Sequence, residues 1–302
     1  MNVDVVIPTF NRFWAIQKVV PSYLAFPEVH KVIVVDDGGS DGTYEWLKTI
    51  SIEEARLMVL RHEERRGACA ARNTGAAKAE APYVFFADDD MLLAPVNAFR
   101  ILIDDLIVAG AEIIAPILEF QEGAELNISL IKGKEPADLF YLYNKMTLER
   151  KSMKTLLGCM PHVSFESGLL SGIMLMCRSV LDNVRYDEQL GDNSYRDETD
   201  FQLKAIGKGY RLLACPKVYL IDLFRLNDKG GCHTTNLVKY EFLCCRNNWR
   251  ILKKHRKVLE KIQITVPIQM MQLLFMAEHL LSRLPRGIFF QFRQKLGLIR
   301  QL

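Results

Sequence analysis

Two aspartate clusters, each directly behind a run of strand-forming residues, constrain this chain more than any other feature: KVIVVDDGGSDGT at 31–43 and YVFFADDDM at 83–91. Like charges repel, so Asp88-Asp89-Asp90 behind Val84-Phe85-Phe86 is costly unless a cation or a ligand donor offsets the charge. A divalent metal carrying a phosphate is the expected occupant. The apolar runs themselves are short and continuous, as in strands covered on both faces.

The same alternation runs through the first 118 residues. Strands are expected at 4–8, 31–35, 55–60, 83–87 and 112–118, and helices at 13–24, 43–50, 68–79 and 95–109. This predicts an α/β fold with a mostly parallel sheet flanked by helices. From about Gln121 to Phe165 the pattern dissolves into mixed charge and scattered glycine, which reads as an inserted segment or lid. Order returns with an apolar stretch at 169–178, a helix at 198–206 and a strand-like run at 210–223. From Tyr240 onward the pattern is helical.

Charge divides the chain unevenly. From Arg246 to the end there are 12 Lys/Arg against Glu260 and Glu278, whereas the preceding residues carry 27 basic and 34 acidic groups. An acidic catalytic body of residues 1–235 is therefore expected to carry a basic helical tail over 236–302. In the tail, Phe275, Leu280, Leu281, Ile288, Phe289 and Phe292 interleave with Arg283, Arg286, Arg293 and Lys295. That pattern suits either an anionic membrane surface or a helical packing and dimer interface. The seven cysteines show no CxxC pair or disulfide rhythm, and Met1 leads straight into a strand without a signal-peptide pattern. A cytoplasmic protein, peripheral at most on the inner membrane face, is the expectation, with no nucleic-acid partner.

Ligands of open parallel sheets bind beyond the carboxyl ends of the strands. Those positions hold Pro8, Thr9, Asn11 and Arg12 after the first strand, Asp36, Asp37, Gly38 and Ser40 after the second, and the Asp88 to Asp90 triplet after the fourth. Short polar and acidic side chains there can hydrogen-bond a base and ribose and hold a metal. Asp36 and Asp37 also read as ordinary turn formers, and Arg72 as a solvated helix residue. The dinucleotide fingerprint and the GxxxxGK[ST] phosphate loop are both absent, which argues against dehydrogenases and phosphate-loop NTPases.

Five motifs stand in order: DVVIPTFNR, VVDDGGSDGT, CAARNTG, FFADDDM and RDETDFQLKAIGKGY. Together they resemble the family-2 inverting glycosyltransferases with the GT-A fold, over residues 3 to about 256. Gly39 before Ser40, and the order Asp197-Glu198, depart from the commoner pattern. The resemblance implies transfer of a sugar from a nucleoside-diphosphate donor, most often UDP, to a hydroxyl of a glycan or lipid-linked acceptor. Asp88 and Asp90 stand at DxD spacing for Mg²⁺ or Mn²⁺, with His233 as an implied third ligand. Asp89 and Arg72 are expected at the nucleotide, and Ser171, Gly172 and Asp200 near donor sugar and acceptor, although Asp200 also suits an ion pair with Lys204. The acceptor proton falls to Glu198, with Asp197 as the neighbouring candidate. The competing expectations are a sugar-1-phosphate nucleotidyltransferase, which needs a basic glycine-rich loop that PTFNR lacks, and an inactive nucleotide-sugar-binding module.

Overall fold

The computed structural model describes residues 1–121, 139–143, 146–148, 150–154, 163–190, 193–223 and 237–282. The chain opens with strand β1 (Val3–Thr9), helix α1 (Phe13–Leu24), β2 (Val29–Asp36), α2 (Thr43–Ile50), β3 (Leu57–Arg61), α3 (Ala68–Ala76) and β4 (Tyr83–Phe86). β1 is buried along its whole length, as its unbroken VDVVIPT run requires. β2 pairs with β1 and β3, and β4 with β1, all in parallel. Thr9 lies opposite Asp36 in this register, so the first two expected loops leave the sheet side by side.

Beyond β4 the sheet becomes mixed. It runs β3-β2-β1-β4-β10-β6-β11-β5, where β5 is Met91–Ala94, β6 Ile113–Gln121, β10 Met174–Cys177 and β11 Leu212–Asp222. β10 is antiparallel to both of its neighbours, β4 and β6, and β11 is parallel to β6. The reversal has a consequence for the site: residues just before β10 arrive at the same edge as the residues just after β1 and β4. The sequence did not announce β5, which follows the aspartate triplet at once, or the short β9 (Phe165–Glu166) on β11. Within the expected insertion lie β7 (Leu139–Tyr143) and β8 (Arg150–Lys154), a hairpin extending β6.

Each face of the sheet carries its own core. Val3, Val5 and Ile7 point to one side, beneath α1 and α4 (Ala98–Ala109). Val6 and Ile33 point to the other, where they meet α3, α5 (Asp197–Lys208) and part of the C-terminal helices α6 (Leu237–Lys254), α7 (Arg256–Lys261) and α8 (Ile268–Ser282). Ile251, Leu252, Leu259 and Met271 belong to this second core. The described part of the basic segment is thus docked on the body, not trailing from it. α3 approaches β1 closely because it is built from small residues: a Cβ on Gly75 would stand 2.5 Å from Val6 Cγ1.

No described helix is long and apolar enough to cross a membrane.

Candidate active site

A cleft of about 410 Å³ opens at the carboxyl edge of β1 and β4. It gathers most of the residues expected from sequence: Pro8, Thr9, Arg12, Asp37, Arg72, Asp88, Asp89, Asp90, Gly172, Asp197 and Glu198 all line it. Two arginines and a threonine hold four of these carboxylates. Thr9 Oγ1 donates to Asp89 Oδ2 at 2.8 Å, and Arg12 Nη1 donates to Asp90 Oδ2 at 2.6 Å. Arg72 spans two elements, with Nη1 on Asp197 Oδ2 at 2.6 Å and Nη2 on Asp88 Oδ1 at 2.8 Å. A planar guanidinium can hold two carboxylates in this fixed fork, which an ammonium cannot.

Asp37 is locked at the start of α3. Its carboxylate accepts the Arg66 and Gly67 backbone N–H groups at 2.9 and 2.7 Å and contacts His62 Nδ1 at 2.7 Å. A helix N-terminus favours a negative charge in that place. Asp36 is fully buried instead, beneath Gly39 N–H (3.2 Å) and Arg61 Nε (3.4 Å), and does not line the cleft. Burial pushes its carboxyl up. Asn11 and Ser40 shape the loop: Ser40 N–H donates to Asn11 Oδ1 at 2.7 Å, and neither residue lines the cleft.

Of the three positions expected at the sugar, Gly172 alone lines the cleft. A Cβ there would lie 3.4 Å from Glu198 Cβ, so glycine leaves room for the Glu198 side chain. Ser171 Oγ turns back to Ile173 O at 3.0 Å. Asp200 faces away from the cleft and is held by Lys204 Nζ (2.7 Å), Lys254 Nζ (2.9 Å) and His255 Nε2 (2.7 Å), so the ion pair with Lys204 forms and two partners from α6 and the residue after it join it. His233 lies outside the described residues.

Sequence reasoning missed the wall formed by Asn193, Ser194, Tyr195 and Arg196, as well as Phe10, Arg65 and Leu148. Ser194 (φ 47°) and Arg196 (φ 64°) both take left-handed backbone, rare for such residues, and so turn the chain sharply into α5. The only available signal was the run of turn formers ahead of Asp197. Arg65 stacks on Phe10, its guanidinium carbon 4.2 Å from the ring centroid.

The carboxylates differ in how readily they ionise. Burial first, and then the charge of Asp197, push Glu198 up to about 8. Burial and Asp90 push Asp89 up to about 7. Asp90 is raised by burial and by Asp88, against the pull of Arg12. Asp200 is held well below the usual carboxylate range because hydrogen bonds from His255 and Lys204 outweigh its burial.

Asp88 and Asp90 thus offer hard oxygen donors that retain negative potential despite their arginines. With side chains 38% and 24% exposed, they suit Mg²⁺ or Mn²⁺. Among the described residues there is no group of three or more His, Cys, Asp or Glu side chains arranged to hold a metal alone.

The sequence profile described as Glycosyl transferase family 2 matches residues 4–165, just over half of the chain. This chain belongs to glycosyl transferase family 2. Among curated family relatives, the succinoglycan biosynthesis protein ExoU of Rhizobium meliloti is 32% identical over 124 residues, covering 41% of this chain and 35% of that protein. The putative teichuronic acid biosynthesis glycosyltransferase TuaG of Bacillus subtilis is 36% identical over 89 residues, covering 29% and 35%. The matched stretch spans about a third of the length of these relatives. The family-2 chain also shares its GT-A-like fold with GalNAc-T7, solved with UDP, GalNAc and Mn²⁺ (TM-score 0.64, 18% identity, 84% of this chain and 48% of that one). S. aureus TarS in complex with UDP-GlcNAc gives a TM-score of 0.63 at 15% identity, covering 95% and 77%.

Proposed function

We propose that this family-2 protein transfers a sugar from a nucleoside-diphosphate donor, a UDP-sugar, to a hydroxyl of a glycan or lipid-linked acceptor in polysaccharide biosynthesis. The anomeric carbon is inverted in one displacement. The observation that carries this reading is the Arg72 bridge, which ties the Asp88 end of β4 to the Asp197 start of α5 and so sets Glu198 in the same cleft as the aspartate triplet. The solved neighbours holding UDP and UDP-GlcNAc, and relatives named for succinoglycan and teichuronic acid biosynthesis, support the donor and product class.

Glu198 takes the proton of the acceptor hydroxyl as its oxygen attacks the anomeric carbon and the bond to the diphosphate breaks. Its raised pKa gives it the basicity a general base needs near neutrality. Asp197 lines the same cleft, but its carboxylate is held by Arg72, so it is read as the group that raises and orients Glu198 and not as the base. Asp37 and the Phe10–Arg65 stack, which line the cleft, would take the base and ribose. A Mg²⁺ or Mn²⁺ ion held by Asp88 and Asp90 would neutralise the charge of the departing diphosphate.

On this reading residues 1–235 form the catalytic body, its nucleotide side within 1–118, and 236–302 the helical segment.

Turnover of UDP-sugars with Mn²⁺ is the test. Glu198→Gln is expected to cut transfer by roughly 100-fold or more, while UDP affinity by titration stays near wild type. Asp197→Asn should hurt less. A Glu198→Gln protein with near-normal turnover beside a dead Asp197→Asn would move the base to Asp197. A wild-type protein that binds UDP-sugars and turns none over would be a binding module.

A further inference from the structure

α8 is apolar on both sides. Met271 is buried in the second core and Phe275 against Tyr195, yet Met270, Leu273 and Met276 stand on the opposite side, Leu273 62% exposed. A helix that is apolar all round is normally covered on both sides. α6 beside it has an outward stripe of a different kind. Lys239, Phe242, Arg246, Trp249 and Lys253 recur at steps of three and four residues, so one helical face interleaves cations with aromatic rings. Phe242 is 66% exposed, its neighbour Val238 81%, and Lys253 Nζ lies 5.9 Å from the Trp249 ring.

The two helices run antiparallel. Glu241 meets His279 at 2.9 Å, and Gln272 meets Asn248 at 2.6 Å and Cys245 O at 3.2 Å. Their core-facing residues lie to one side of this seam, so both outward stripes belong to the solvent side of the pair. Together they make one surface with an apolar strip on α8 and a basic-aromatic strip on α6.

We propose that this α6–α8 face docks on an anionic lipid surface. Charge selects lipid over a second copy of the chain as the occupant. From Arg246 to the end there are 12 Lys/Arg and two acidic residues, and the 20 residues after α8 carry five Lys/Arg and no acid. On the face itself Lys239, Arg246 and Lys253 share the α6 stripe with no acid among them, so two such faces brought together would repel, whereas an anionic headgroup layer would attract them. Phe and Trp rings with Lys and Arg on one helix face are suited to the headgroup boundary, where ring and alkyl stem enter the apolar layer and the charge stays wet. The docked helices also reach the cleft. Phe275 and His279 of α8 pack on Tyr195, a cleft wall residue, and Tyr195 Oη lies 3.1 Å from His279 Nε2. The surface would therefore hold the cleft next to the lipid headgroups.

Vesicle flotation of the full chain tests this without reference to any sugar chemistry. Phosphatidylcholine vesicles containing phosphatidylglycerol should carry the protein at low salt, and pure phosphatidylcholine vesicles should not. Leu273→Ser/Met276→Ser and Lys239→Glu/Lys253→Glu should each lower binding by about tenfold or more. Circular dichroism melts of the variants that match wild type would keep a misfolded protein from counting as a result. The proposal is overturned if the wild type does not float, or if both double variants float as well as wild type. It is also overturned if the variants turn a dimer into a monomer with no vesicle binding at any stage, or if removal of residues 283–302 alone abolishes binding while the double variants retain it. Sugar turnover can fail or succeed independently of each of these outcomes.

Discussion

Arg72 carries the charge balance of the cleft, because its two Nη groups are shared between Asp88 and Asp197 while Glu198 sits beside that pair. Burial and Asp197 raise Glu198 to about 8, and Arg72 partly opposes them. Only the ionised form can accept a proton, so kcat/KM in the proposed reaction should rise with pH through about 8 and level off above it. Arg72→Gln removes the opposing charge and should move that rising limb to higher pH; a limb that stays put would separate Glu198 from the rate. Stability should run the other way. A carboxyl raised in the folded state favours folding below its ordinary value of 4.5 and loses that contribution as pH rises towards 8. The melting temperature of Glu198→Gln should accordingly fall less between pH 5 and 8 than that of wild type. Cleft residues such as Thr9, Asp37 and Asp88 were legible because they follow apolar runs. Ser194 and Arg196 were not, because left-handed backbone in non-glycine residues leaves no mark in a sequence.

At the level of elements, continuous apolar runs made β1, β2, β4 and β6 readable, since a strand buried on both faces has no polar alternation to blur it. β5 and β9 are two to four residues long and owe their form to β11, so no local pattern reveals them. The contact of α3 with β1 is the sharpest packing constraint described. Gly75→Ala places a methyl 2.5 Å from Val6 Cγ1, on a β-branched side chain with no room to retreat. It should cost about 1–3 kcal/mol in urea unfolding, as overpacking of a dense core does. The same change in a Val6→Ala background should cost clearly less; equal costs in both would show that the helix shifts freely. Asp4 makes a second hidden link, accepting the Glu80 and Ala81 N–H groups at 2.6 and 2.8 Å and so fixing the entry to β4. Its place in a strand, between two valines, gave no hint of it.

Over the whole molecule, Asp200 of α5 adds a polar tie to the apolar packing of the C-terminal helices on the sheet. The Lys204 contact follows from helical spacing, but Lys254 and His255 lie more than fifty residues away and were beyond any local reading. Asp200→Asn should destabilise the protein by about 1–3 kcal/mol, a buried-pair cost discounted because both lysines are partly exposed. The sign of its pH effect is fixed by its depressed pKa: the contribution is complete above the ordinary value of 3.8 and lost as pH falls below it. Acid melts of wild type and Asp200→Asn should therefore converge at low pH. A chain ending at residue 235 should not fold, because Ile251, Leu252, Leu259 and Met271 would be missing from the second core; a cooperative thermal transition in that fragment would refute this. The reversed strand β10 has its own reach. β6 leaves the sheet and β10 re-enters it at the cleft edge, while β9, lying between them in the chain, is tied to the start of β11 at the opposite rim. A sequence exchanged into this stretch from a related chain would therefore have to reproduce the β9 pairing as well as the entry to β10 for β1, β2 and β4 to keep their register.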